Sequence, residues 1–295
     1  MLQKILSEAE ILKRFDALVE SGDVRYDKNT KVVPVVDQGF KFLFMVASSL
    51  SQKPNTPEEK DVTEQTLKPP LEPGSDINTA GFEICDVGTK HRLCANKFCY
   101  TRPQLLLLTR DGFKRQWDPL EAVDLDGIWT VLRDGQFAFY NCGVAAGFSR
   151  LHRHMQFVPR PEGFTTFLDA DEHDQGGGQG GDGGSANVPF LYFRRALDGS
   201  GQGLKEIYDG LRDEMATRSK FRAEGPGTDC PHNLIMTRQW MAVIPRRSSV
   251  LGPASTNSIG MMGLVPVSTM ESVEEWKSLG PLNVLKEFGV PRDGS

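Results

Sequence analysis

Two histidines and a glutamine stand two apart in the segment Leu151-His152-Arg153-His154-Met155-Gln156-Phe157. On a β-strand, residues two apart share a face. His152, His154 and Gln156 would then line one side, and Leu151, Arg153, Met155 and Phe157 the other. Three readings of the polar face are open. It is the wet side of a half-exposed strand. It is part of a zinc site, for which His91 or His232 would supply a third ligand, although their spacing does not say so. Or one imidazole is a nucleophile toward phosphorus. That chemistry needs an unprotonated ring nitrogen aimed at the phosphorus, with the other nitrogen donating to a fixed acceptor. It also needs donors on the non-bridging oxygens, because phosphoryl charge must be held through the transition state. Such parts lie between Asn141 and Gln156. Gly143, Ala145, Ala146 and Gly147 make a small-residue turn that lets backbone N–H groups approach an anion. Ser149 adds a hydroxyl and Gln156 an amide.

These residues need a scaffold. QFAFYNCG (136–143) and LHRHMQFVP (151–159) flank the small-residue turn, and the spacing predicts an antiparallel hairpin. The proline at 159 cannot continue a central ladder. HRLCANKFCYT (91–101) and QLLLLT (104–109) read as strands, and residues 119–133 as a helix. Residues 3–20 space their apolar side chains as an amphipathic helix, with Gly22 as a stop. The run 40–50 is apolar but too short to classify. Residues 51–80 are rich in Pro, Glu, Thr and Lys and read as a solvated connector, with a lid as the alternative. In the span 175–184, seven of ten residues are glycine, which marks a tether. The expected organisation is therefore an N-terminal catalytic part over 1–170, a Gly-rich tether over 171–187 and a C-terminal part over 188–295. The last would carry a helix over 203–220 and a hairpin over 233–245.

The whole chain has 295 residues, a net charge of −5, 39% hydrophobic and 25% charged residues. This is ordinary globular composition with ample material for a core. The acidic balance argues against nonspecific nucleic-acid binding. No apolar run approaches the roughly 20 residues of a membrane span. Five cysteines without a C-x-x-C pair read as reduced thiols. Together these imply a cytoplasmic setting, with the nucleus as a further compartment.

Asn141-Cys142-Gly143, then Gly147-x-Ser149, then His152-x-His154-x-Gln156, resembles the histidine motif of the histidine-triad superfamily. The glutamine points to its nucleotidyltransferase branch. Within that branch the chain looks like the fungal-type diadenosine tetraphosphate phosphorylases (ATP adenylyltransferases). Asn96-Lys97-Phe98, PQLLLLTRDGFKRQ and HNLIMTRQWMAVIPRRSS, with Asn257 and Gly263 downstream, extend the resemblance over most of 1–270.

The resemblance implies an α+β, HIT-like fold: an antiparallel sheet with flanking helices and a C-terminal extension. It implies phosphorolysis of diadenosine tetraphosphate by inorganic phosphate to ATP and ADP. His154 would become a nucleotidyl-histidine, His152 would support it by hydrogen bonding, and Gln156 would contact the α-phosphate. Asn141, Gly147, Ser149, Asn96 and Lys97 would bind nucleotide or phosphates. Lys53 matches a family substrate-binding lysine, and Asn257 and Met261 would line a second nucleotide subsite. The partners would be dinucleoside polyphosphate, ATP, ADP and phosphate, with no nucleic acid and no membrane. No metal or other cofactor is required, although a divalent cation could accompany the nucleotide. The chain departs from the family's Gly-Ala-Ser-Gln at Phe148 and Arg150, where Arg150 could instead pair with a phosphate oxygen. A lysine expected near Pro266-Val267 is also missing. These departures motivate an alternative, a nucleotide-binding regulator of weak catalysis. A hexose-1-phosphate nucleotidyltransferase or a nucleotide hydrolase of the same superfamily is a further one.

Other residues have plainer readings. His91 and His232 are expected to be satisfied or exposed imidazoles, and His173 a solvated one. Cys142 is expected to be a small packing residue. The tryptophans are expected in the core. Arg246-Arg247 reads as a solvated pair, with a reach toward polyphosphate as the alternative.

Overall fold

A computed structural model describes residues 6–52, 71–169, 188–219, 222 and 230–292. Lys53, His173 and the expected tether lie outside the described residues. In chain order the strands are β1 (Arg25–Tyr26), β2 (Lys31–Asp37), β3 (Phe40–Val46), β4 (Glu83–Val87), β5 (His91–Ala95), β6 (Phe98–Cys99), β7 (Leu105–Thr109), β8 (Gln136–Cys142), β9 (His154–Pro159), β10 (Phe193–Ala196), β11 (His232–Met236), β12 (Trp240–Pro245), β13 (Val250–Leu251), β14 (Ala254–Ser255) and β15 (Leu264–Val267). The helices are α1 (Glu8–Glu20), α2 (Ala122–Val131), α3 (Leu204–Arg218), α4 (Ser258–Met261), α5 (Met270–Leu279) and α6 (Pro281–Phe288).

The principal sheet has eight strands in the order β10-β12-β11-β8-β9-β7-β5-β4. Every neighbouring pair is antiparallel. The pairing crosses the expected division of the chain: β8 of the first part bonds β11 of the second from His232↔Cys142 to Met236↔Ala138. A three-stranded sheet, β15-β3-β2, lies apart from it. Its centre is the run that the sequence left unclassified.

Alternation along the strands splits the core in two. Ala138, Tyr140, Met155, Phe157, Leu105 and Leu107 face α1, α2 and α3. Phe137, Phe139, Val158, Ile235, Ala242 and Ile244 face the small sheet with α5 and α6. This second cluster draws no residue from β4, β5 or β7. Beyond the edge of this cluster, β9 presents His154 and Gln156 level with Leu108 and Leu106 of β7, and the histidine motif lies there.

Two expectations shift at their ends. Helix α1 begins at Glu8, because the Ser7 hydroxyl accepts the Glu10 N–H and caps it. The strand expected over 91–101 breaks after Ala95, where the Asn96 carbonyl oxygen Oδ1 turns back to the Phe98 N–H at 3.1 Å.

Candidate active site

The hairpin β8–β9 forms as the alternation implies, but the strand starts at His154 rather than at 151. β8 and β9 pair only from Gln136↔Pro159 to Phe139↔Gln156, and β7 pairs with β9 up to Leu108↔His154. Beyond Gln156 the β8 side of β9 has lost its strand partner. Gln116 supplies the missing ladder with its side chain. Its Oε1 accepts the His154 N–H at 2.8 Å, and its Nε2 donates to the His154 carbonyl at 3.0 Å. Gln116 is wholly buried, so these bonds are shielded from competing water.

The His154 ring is fixed by its own chain. Nδ1 lies 2.8 Å from the His152 carbonyl oxygen. A carbonyl only accepts, so Nδ1 carries the proton and the neutral ring's lone pair sits on Nε2. This is the tautomer that nucleophilic attack requires.

His152 is held quite differently. Its Nδ1 meets the Ser75 hydroxyl at 2.8 Å and its Nε2 the Thr109 hydroxyl at 2.9 Å. Burial pushes its pKa below the usual histidine value. Both ring nitrogens are thus engaged by hydroxyls, and the residue supports the site through its backbone carbonyl. The backbone N–H groups of Leu151 and His152 both donate to Asp76, at 2.8 and 2.9 Å. Ser75 and Asp76 belong to the stretch expected to be a solvated connector. The described part, 71–80, is instead a clasp on the histidine segment. It fits closely: a Cβ on Gly112 would approach the Pro73 carbonyl oxygen to 2.5 Å.

Beneath the strand, Arg153 is buried on the opposite face and pairs with Asp124 at 2.8 Å and Glu121 at 3.2 Å. Asp124 also meets His91 Nε2 at 2.7 Å. Burial works to raise the Asp124 carboxyl. The His91 hydrogen bond, the Glu121 N–H and Arg153 outweigh it and hold the pKa below the usual range. His91 is therefore a satisfied core imidazole. His232 is another, meeting the Tyr208 hydroxyl at 2.8 Å and the Cys230 carbonyl at 2.9 Å. Neither joins His152 and His154, and among the described residues no group of three His, Cys, Asp or Glu side chains is placed to hold a metal ion.

The small-residue turn between the strands is a 3-10 turn, Val144–Ala146, bracketed by Gly143 (φ 91°) and Gly147 (φ 84°). Gly147 is needed for more than its φ: a Cβ there would meet the Thr256 carbonyl oxygen at 2.7 Å. The turn is thus packed against the segment that opens α4. Asn141 lies at the same junction. Its Oδ1 accepts from Asn233 Nδ2 (3.0 Å), the Ser258 N–H (3.1 Å) and the Ser258 hydroxyl (2.5 Å).

The remaining expected residues divide. Gln156 accepts from Gln104 Nε2 at 3.5 Å, and the Gln104 backbone carbonyl accepts the Asn96 N–H at 2.9 Å, so Asn96 and Gln156 are both tied to Gln104, one at its backbone and one at its side chain. Lys97 reaches over the Phe98 and Phe82 rings, its Nζ 5.6 and 6.0 Å from their centroids. Ser149 is exposed, and the Arg150 guanidinium donates to the Ser149 carbonyl at 3.1 Å. Phe148 packs beside Trp117, centroids 6.3 Å apart, so this half-buried tryptophan sits at the turn rather than in the core. Asn257 caps α4 by accepting the Ile259 N–H. Met261 is wholly buried in the second core cluster and does not line open space. Its apolar side chain is one wall of the packing between α4 and β15. Cys142 is buried as expected, and burial pushes its thiol up to about 12. Arg246 corrects the sequence reading outright: it is wholly buried rather than solvated. Gln116, Asp76, Ser75, Thr109, Asn233 and Ser258 were not singled out by the sequence. Each acts through a long-range side-chain contact that leaves no periodic mark.

The Ap4A phosphorylase N-terminal domain family matches residues 6–166, and the ATP adenylyltransferase C-terminal domain family matches residues 186–291. The chain belongs to the Ap4A phosphorylase family. Among curated relatives, it is 28% identical over 210 residues to diadenosine 5',5'''-P1,P4-tetraphosphate phosphorylase 2 of Saccharomyces cerevisiae. That alignment covers 63% of this chain and 64% of the relative, just under two thirds of its length. Protein APA1 of the same yeast is 25% identical over 309 residues, covering 95% of this chain and 93% of the relative. The fold matches the crystal structure of yeast Ap4A phosphorylase Apa2 with a TM-score of 0.77 at 22% identity, over 100% of this chain and 97% of that one. The yeast enzyme in complex with Ap4A matches with a TM-score of 0.74 at 23% identity, over 99% of both chains. This Ap4A phosphorylase family member thus shares the α+β architecture of the yeast enzyme along its whole length. No described helix is long and apolar enough to cross a membrane.

Proposed function

We propose that this protein cleaves diadenosine tetraphosphate with inorganic phosphate to give ATP and ADP. The observation that carries the reading is the His154 ring, its Nδ1–H held by the His152 carbonyl and its lone pair on Nε2, within a chain of the Ap4A phosphorylase family. In the first step Nε2 forms a bond to the α-phosphorus. The P–O bond to the rest of the polyphosphate breaks, and its electron pair leaves on ATP. The ring then carries AMP and a positive charge, which the His152 carbonyl stabilises at Nδ1–H. In the second step a phosphate oxygen attacks the same phosphorus, the P–N bond breaks, and its electron pair returns to Nε2 as ADP departs. Gln156 donates to the α-phosphate, while Asn141, Ser149, Arg150 and Lys97 contact nucleotide or phosphates. The two steps need no resident cofactor, and a divalent cation would travel with the polyphosphate. The five free cysteines support a reducing setting, which we take to be the cytoplasm and the nucleus.

The test is an end-point assay with diadenosine tetraphosphate, with and without labelled phosphate. ATP and labelled ADP are expected only with phosphate, and none from His154→Ala. AMP formed from water, or sugar nucleotide formed from a hexose phosphate, would replace this reading with a hydrolase or a hexose-1-phosphate nucleotidyltransferase. Saturable binding without turnover would make it a nucleotide-binding regulator.

A further inference from the structure

Arg246 is wholly buried, and none of the described carboxylates lies within ion-pair distance of it. Burial pulls its pKa down to about 9. Its donors are spent on oxygen atoms of four separate places in the chain. They reach Asn233 Oδ1, the Ser248 carbonyl at 2.7 Å, the Thr256 carbonyl at 3.2 Å and the Phe288 carbonyl at 3.3 Å.

A guanidinium has donors only, so Asn233 must turn its oxygen toward Arg246 and its NH2 group away. That NH2 donates to Asn141 Oδ1 at 3.0 Å and to the Ala146 carbonyl at 2.9 Å. At the far end the Ser258 backbone N–H, again a donor only, also meets Asn141 Oδ1. The amide orientations of both asparagines are therefore dictated from two ends. Asn141 is 2% exposed, yet its Nδ2 donates to none of the described residues and is not sealed from open space. A donor held toward open space in this way is ready for a ligand oxygen at no cost in reorientation. Asn141 and His154 each lie two residues from the last β8–β9 pair, Phe139↔Gln156, on the face that those two share, with Gln116 between the diverging chains.

We infer that Arg246 and Asn233 are positioning residues, which hold Asn141 with Nδ2 turned outward as a fixed donor to an oxygen of the phosphate beside His154. The phosphate ligand rests on the functional reading above; the orientation lock does not.

The test uses the full chain with selectively labelled asparagine side chains, the Asn141 signal being assigned by its loss in Asn141→Asp. AMP is expected to shift that signal and adenosine to leave it in place. An equal shift with adenosine would overturn the phosphate assignment. Without any ligand, Asn233→Asp removes the inward donor and offers Asn141 Nδ2 a charged acceptor, a bond stronger than either of the two that Oδ1 gives up at the Ser258 N–H and hydroxyl. Exchange of the Asn141 amide protons with water should slow at least tenfold, and unchanged exchange would overturn the lock. In a His154→Ala background, calorimetry with diadenosine tetraphosphate should show Asn233→Asp weakening affinity at least tenfold, with Asn141→Ala adding nothing further. Effects that multiply would indicate an ordinary structural role and sink the proposal. Should Asn233→Asp fail to fold, Arg246→Gln keeps an N–H toward Asn233 and should retain affinity where Arg246→Met loses it. Equal affinities of these two would also overturn it. Slowed exchange without nucleotide binding would refute the functional reading and leave the lock standing.

Discussion

His152 and His154 are two residues apart, yet their surroundings give them separate duties. His154 has one nitrogen committed to a carbonyl, whereas His152 has both committed to hydroxyls. The H-x-H-x-Q spacing was legible in the sequence, and so was the strand that carries it from His154 onward, while His152 stands before its start. The partners were not, because Ser75, Asp76 and Thr109 come from distant segments. Asp76→Asn places an NH2 group against the N–H of Leu151 or His152. We expect a loss of about 1–3 kcal/mol of stability, read by urea denaturation, together with reduced turnover. His232 gives a pH signature. Burial lowers its folded-state pKa to about 4, below the ordinary value of about 6.5. The unfolded chain therefore takes up a proton first as pH falls. The stabilisation is complete above about pH 6.5 and is lost progressively toward pH 4, on the order of 3 kcal/mol in all. Stability curves at pH 7 and pH 4.5 should converge for His232→Gln relative to the parent.

At the scale of elements, the start of β9 depends on a side chain doing what a strand usually does. Gln116→Met removes both bonds to the His154 backbone. We expect kcat to fall at least tenfold while the circular dichroism of the sheet is unchanged. Gly147→Ala should be worse for stability, since it forces a left-handed φ and a clash with the Thr256 carbonyl; a loss of about 1–3 kcal/mol is expected by thermal or chemical denaturation. The hairpins were legible because period-two alternation ends at glycine or proline. The small sheet was not. Pro34 stands inside β2, and Val32 and Val36 on that edge strand point to solvent, so its pattern carries no clear buried face. Arg246 misled for a related reason: a charged pair at a strand end looks solvated until the carbonyls that receive it are known.

At the scale of the whole molecule, the glycine-rich segment suggested two parts, and the two family models match on either side of it. The main sheet nevertheless runs through both. Residues 1–170 made alone would expose the β8 edge from Ala138 to Cys142. We expect that piece and 188–295 each to aggregate or remain unfolded, and co-expression to restore a soluble complex with measurable diadenosine tetraphosphate cleavage. Independent folding of either piece by calorimetry would count against this view of the sheet.

The Arg246 contact to the Phe288 carbonyl also sets an order in time. During synthesis the histidine strand leaves the ribosome long before residue 288 does. A nascent chain thus carries His154 early, but the full set of Arg246 contacts behind Asn141 is completed only once α6 has emerged. The last of these contacts thus waits for a stretch of chain that holds none of the motif.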